Sequence, residues 1–209
     1  MKSDNKHRYS PDMHVKVRKW IVEVLEERKS VIALPVEQRA KFEGWLKFEL
    51  AYHASKVADV RDVKVEVPVK STDKQNKKKV TLNDISFCFE GNNYRIELKT
   101  SNTNHKKRKD ENRRPFTKNI ESIVADGNKL KEQEGGGIVA FVLFPVPSPE
   151  EDNGWLLRHL DNISSKLKLS DSLSEKKHIT RVKIPRQGSS TEKNLVVCAF
   201  TVPSQSQTG

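Results

Sequence analysis

Seven consecutive apolar residues, Ile138 to Phe144, constrain this chain more than any other feature. The run is short enough for a strand, and its lack of alternation predicts one that is covered on both faces. Such a strand belongs in the middle of a sheet with helices on each side. The helices are legible. Met13, Val17, Trp20, Ile21 and Val24 recur at helical spacing over residues 11–29. Pro35 is expected to break the chain, and Phe42, Trp45, Leu46, Leu50 and Ala54 then mark a second helix over 36–57. A third spans 118–134, with Ile120, Ile123, Val124 and Leu130 inside and Gly135 to Gly137 as its stop. Trp155, Leu156, Leu160, Ile163 and Leu167 make a last one. Val63, Val65, Val67 and Val69 alternate as a strand that Pro68 assigns to an edge, and 194–202 closes the chain as another. The expected fold class is α/β, in one domain over 11–203. Residues 1–10 and 204–209 are polar and are expected to lie outside it.

Within this frame, residues 83–99 carry the chemistry. Ile85, Phe87 and Phe89 alternate with Asp84, Ser86 and Cys88; after a turn read at Gly91-Asn92, Tyr94, Ile96 and Leu98 alternate with Arg95, Glu97 and Lys99. Pairing Phe89 with Tyr94 and Phe87 with Ile96 puts both apolar sets on one face. It also sets Asp84 opposite Lys99 and diagonal to Glu97. Cleaving a phosphodiester calls for a metal at the non-bridging oxygens, a water of lowered pKa and positive charge near the developing negative charge. Asp84 and Glu97 suit Mg²⁺, which takes one or two carboxylates, and Lys99 suits the water or the phosphate. Either motif alone reads better as the solvated face of an antiparallel sheet. Their order among the helices favours a metal-dependent phosphodiesterase site.

A third acid comes from the second helix. Glu49 follows Trp45 by four residues and Leu46 by three, which turns it toward the core and the Asp84 and Glu97 centre. Glu43 competes for that place, but Arg39 and Lys47 lie one turn away and could pair with it at the surface.

Thirty-nine Lys and Arg against 28 Asp and Glu give a formal charge of +11. The basic residues crowd into 74–79 and 105–114, on either side of the candidate hairpin. Lys106, Lys107, Arg108, Arg113, Arg114 and Lys118 are therefore the expected nucleic-acid contacts, because neutralising phosphates supplies much of such affinity. No apolar segment reads as a signal peptide or membrane anchor, and two cysteines make no disulfide framework, so a reducing cytoplasmic setting is expected. No Cys/His spacing suggests structural zinc, and no Gly-x-x-x-x-Gly-Lys loop suggests ATP.

The order of helix with Glu49, strand, strand with Asp84, strand with Glu97-Leu98-Lys99, helix and strand resembles the PD-(D/E)XK nuclease superfamily over residues 36–144. Asn83 stands where the name-giving proline would be. The resemblance implies a restriction-endonuclease-like core, a mixed central sheet flanked by helices. It implies that Asp84 and Glu97 bind Mg²⁺, with Mn²⁺ as a substitute, that the Leu98 carbonyl is a further ligand, that Lys99 assists the water and that Glu49 completes the site. In such folds the next helix often contacts substrate or metal, which brings in Asp126 and Lys129.

The expected activity is therefore Mg²⁺-dependent endonucleolytic hydrolysis of DNA, of restriction or defence type, by a monomer or a homodimer. A non-catalytic nucleic-acid-binding module with the same fold is the alternative from another class, and an RNase is a third.

Overall fold

The computed structural model of the protein describes residues 12–72, 78–103, 116–186 and 188–204. Its centre is the apolar run. Strand β4 (Gly137–Val146) is buried at every position and lies between β3 (Asn92–Asn102), to which it runs parallel, and β6 (Glu192–Val202), to which it runs antiparallel. With β1 (Val60–Thr72), β2 (Lys78–Phe89) and β5 (Ile179–Pro185), these form a mixed six-stranded sheet in the order β1-β2-β3-β4-β6-β5. Helices α1 (Met13–Glu27), α2 (Lys29–Glu37) and α3 (Glu43–Ser55) cover one face, where Ile138, Ala140, Val142 and Phe144 point. Helices α4 (Phe116–Lys131) and α5 (Trp155–Leu167) cover the other, against Val139, Phe141 and Leu143. The uniform apolarity of β4 has this cause: alternate side chains feed two separate cores. Both cysteines are free, with Cys198 fully buried. Among the described residues no helix is long and apolar enough to cross a membrane.

Several boundaries differ from the sequence reading. Pro35 lies inside α2 rather than ending a helix. It sits near the C-terminal end, where few further intrahelical bonds are lost, and the chain turns at Arg39, which takes a φ of +55°. Consequently α3 begins at Glu43 and not near Val36. Strand β5 was not expected; its Val182 and Ile184 alternate into the core, and Lys183 and Pro185 point outward. Ser204, assigned to the polar tail, is buried. Val60 to Val69 does form the expected edge strand, with Pro68 exposed on it.

The glycine triplet after α4 does more than stop the helix. Gly135 and Gly136 have φ of +80° and +70°, and a Cβ on Gly136 would lie 2.1 Å from the Val202 carbonyl oxygen. The backbone of this turn packs directly on the end of β6, where no side chain fits. Gly136→Ala is expected to destabilise the protein by more than the roughly 1–3 kcal/mol that a strained φ costs by itself. Denaturant unfolding would measure it, and a loss under about 0.5 kcal/mol, typical of neutral surface changes, would contradict this packing.

Candidate functional site

Strands β2 and β3 part company at Asp84. The hairpin turn is Glu90-Gly91, both at positive φ (+49° and +78°), so Phe89 pairs with Asn92, Phe87 with Tyr94 and Ile85 with Ile96. The register is two residues from the expected one. An even shift keeps every side chain on its face, so the apolar sets still share one core, but Asp84 now comes level with Glu97 instead of Lys99. Beyond Ile85 the ladder between the strands ends: β3 continues along β4 as far as Asn102, and β2 continues along β1. At this fork the Asp84 carboxylate replaces the missing strand partner, its Oδ2 accepting the Leu98 N–H at 2.8 Å. A strand residue turns its N–H and C=O to the same side, so the Leu98 carbonyl also faces the fork.

Helices α3 and α4 close the fork with charged side chains. Lys47 on α3 lies 2.8 Å from Asp84 Oδ1 and 3.3 Å from Glu66 of β1. Glu43, at the start of α3, spans two groups of β3: Oε1 is 3.4 Å from Lys99 Nζ, and Oε2 accepts the Thr100 N–H at 3.2 Å. From α4, Asp126 Oδ2 lies 3.2 Å from Lys99 Nζ. Lys129, one turn further on, places Nζ 2.5 Å from Glu97 Oε1 and also donates to the Leu82 carbonyl of β2. Asn83 is buried and pairs its amide reciprocally with Gln133 at 2.9 and 3.0 Å.

Four of these groups, Glu97, Asp126, Lys99 and Lys47, titrate away from their ordinary values. Burial pushes the Glu97 carboxyl up from 4.5 to about 7; Lys129 opposes this, and Asp84 and Asp126 add to it. Burial likewise raises Asp126 against the pull of Lys99. Lys99 shows the reverse balance. Its burial favours the neutral amine, but Asp126 and Glu43 outweigh that and hold it above its ordinary value. Lys47 is raised in the same way, with Asp84 and Glu66 overcoming burial.

The structure thus gathers Asp84, Glu97 and Lys99 and adds Glu43, Asp126, Lys129 and Lys47. It does not gather Glu49, which lies 3.4 Å from Arg28 of the segment between α1 and α2. The reason is helical phase. Six residues at about 100° each leave Glu43 and Glu49 roughly 120° apart: Glu43 falls near the middle of the Leu46, Leu50 and Ala54 stripe, and Glu49 lies about 100° to one side of it. Glu43, assigned from sequence to surface pairs, is the acid that reaches the fork. Lys47, read as its surface partner, was missed as a partner of Asp84. Lys118 is exposed on α4. Lys106, Lys107, Arg108, Arg113 and Arg114 lie outside the described residues.

Asp84 and Glu97 are hard oxygen donors at one level of the fork, beside the Leu98 carbonyl, and this donor set suits Mg²⁺ or Mn²⁺. Among the described residues no three carboxylate, imidazole or thiol groups already converge as a cage. Each acid is held by a lysine instead. Five carboxylates (Glu43, Glu66, Asp84, Glu97, Asp126) face three ammonium groups (Lys47, Lys99, Lys129), a surplus of two negative charges when all are ionised. That surplus equals the charge of one divalent cation.

Comparison with known protein families, curated proteins and solved structures found no match.

The Glu97 shift has a direct consequence for stability. Between pH 4.5 and about 7 the folded chain retains a proton that the unfolded chain releases, so this contribution to stability falls as the pH rises through that window. In the presence of chelator, melting temperature should decline with pH over this range more steeply in the wild type than in Glu97→Gln. Equal slopes would show that Glu97 is not the group responsible.

Proposed function

We propose that the protein is a metal-dependent phosphodiesterase with a restriction-endonuclease-like core, acting on DNA through the fork between β2 and β3. The observation that carries this reading is the Asp84 to Leu98 N–H bond. It sets a carboxylate from one strand level with the carboxylate of Glu97 on the next, with Lys99 two residues beyond on the same face. The basic balance of the whole chain around this acidic centre supports a polyanionic substrate.

In this reading Asp84, Glu97 and the Leu98 carbonyl hold Mg²⁺, which when bound supplies a Lewis acid at the phosphate and a water of lowered pKa. The remaining roles belong to the chain. Lys99, kept charged by Glu43 and Asp126, orients the attacking water and stabilises negative charge gathering on the phosphate. Glu43 is a positioning residue: bridging the Thr100 N–H and Lys99, it fixes the ammonium relative to β3. Lys129 neutralises Glu97 until a stronger cation competes, and the released ammonium stays within reach of a phosphate at the fork.

One observation favours the alternative of a non-catalytic nucleic-acid-binding module. Asp84 and Glu97 already have lysine partners, as purely structural acids would. Kinetics separate the two. Plasmid should be cut with Mg²⁺ or Mn²⁺ and not with chelator, and Asp84→Asn and Lys99→Met should each reduce the rate by about 10²–10⁴-fold while leaving DNA binding intact. Glu43→Ala should lower the rate, and Glu49→Ala should retain it to within about threefold, the margin left by a loss of about 0.7 kcal/mol. Intact DNA under every metal condition, with binding preserved, would favour the binding module.

A further inference from the structure

Three successive residues of β2 at the fork are bonded outside the strand ladder. The Leu82 carbonyl accepts from Lys129, the Asn83 amide pairs with that of Gln133, and Asp84 Oδ2 accepts the Leu98 N–H. The first two partners belong to one short stretch of chain. Gln133 follows Lys129 by four residues, about one helical turn, and lies just past the end of α4. Lys129 also holds Glu97. The end of α4 is therefore a common support for β2 and for the acid on β3.

Asn83 is the anomalous member of the three. It continues the odd-numbered set Phe89, Phe87 and Ile85, all buried and apolar, at a position where alternation calls for another apolar side chain. Asn83 is nevertheless 1% exposed, and Gln133 is 6% exposed. Burying an amide is costly unless its polar atoms are bonded. The reciprocal pair answers that cost, each side chain donating once and accepting once. Two apolar side chains would bury as readily. What they lack is direction, since apolar contact is non-directional and a hydrogen bond weakens steeply when bent below about 120°. Direction matters at this point of the chain. Beyond Ile85 the ladder to β3 no longer restrains β2, and Lys47 of α3 draws on the other oxygen of Asp84 at 2.8 Å. A small swing of β2 would carry the carboxylate off the Leu98 N–H, and binding constellations tolerate only about 0.5 Å of misplacement.

We infer that the Asn83–Gln133 amide pair is a positioning latch, which ties β2 to the end of α4 so that the Asp84 carboxylate meets the Leu98 N–H and stands level with Glu97. This inference rests on the metal-dependent reading for what the latch serves. Neither amide is a catalytic residue; both act through Asp84. The pair sits one residue from Asp84 and four residues from the lysine that holds Glu97, so it refers both acids to one element.

The test uses the full chain carrying Gln133→Met, and a second variant that pairs Gln133→Met with Asn83→Leu. The paired variant separates positioning from packing, because replacing both partners of a buried hydrogen bond by apolar groups of similar shape is close to neutral for stability. Amide hydrogen exchange in chelator, followed by NMR, compares Leu98 with Ala140, which is fully buried in β4. The comparison is made within each protein, so a general loss of stability does not imitate the effect. Exchange at Leu98 relative to Ala140 should quicken by about tenfold in both variants, the factor that goes with one net hydrogen bond. Mn²⁺ affinity should fall by about 10–100-fold in both, as it does when groups that orient metal ligands are removed, and Glu49→Ala should match the wild type. A relative exchange rate unchanged in either variant overturns the inference; in the paired variant it would mean that packing alone holds Asp84. Mn²⁺ bound by the wild type with an affinity that neither variant changes overturns it too. If the wild type binds no Mn²⁺ while protection of Leu98 still depends on the pair, the metal-dependent reading fails and the latch stands.

Discussion

The bond from the Leu98 N–H to the Asp84 carboxylate is the interaction on which the rest of the structure depends. An interior strand ordinarily satisfies its amide groups with a neighbour on each side, and a buried amide without a partner costs about as much as a lost hydrogen bond. Where β2 leaves β3, the side chain of Asp84 takes over that duty. The sheet can then open without exposing unsatisfied backbone, and the opening is where α3 and α4 bring their charges. Were β2 to stay paired with β3, Glu43 could not reach the Thr100 N–H from the other layer, and Lys129 could not reach the Leu82 carbonyl.

Burial then determines the electrostatics. Glu97 is 3% exposed, and a carboxylate so placed is costly unless a cation answers it. Lys129 provides that answer within the chain. Lys47 does the same for Asp84, and Lys99 lies between Glu43 and Asp126. The pairs do not cancel, since five acids meet three amines. Burial raises the Glu97 and Asp126 carboxyls, and the neighbouring acids behind that imbalance add to it, in a chain whose overall charge is strongly positive. A divalent cation would relieve it without burying further charge.

Much of this was legible in the sequence where short-range rules operate. Alternation placed Glu97 and Lys99 on one face and Ile96 and Leu98 on the other, and the two-faced burial of β4 followed from its unbroken apolarity. The hairpin register was legible only in parity. Glu90-Gly91 and Gly91-Asn92 are both plausible turns, and the choice moved Asp84 by two positions without turning it to the other face. The choice between Glu43 and Glu49 depended on the phase of α3 relative to the fork, and that is set by packing on β1 and β3, elements up to 58 residues away along the chain. Lys47 was obscured for the same reason: as a neighbour of Glu43 one turn away, it looked like a surface partner. Strand β5 was legible in principle from Val182 and Ile184, two apolar positions being a weak signal among charged neighbours.

The central claim is that the fork is a divalent-cation site built on Asp84 and Glu97. Calorimetric titration of the wild type, Asp84→Asn and Glu97→Gln with Mn²⁺ near pH 7, in buffers of differing ionisation enthalpy, tests it most directly. The account predicts one cation per chain in the wild type, with partial proton release because Glu97 titrates at about 7, and loss of binding in both variants. Absence of binding, or binding that both variants retain with unchanged affinity, would contradict it.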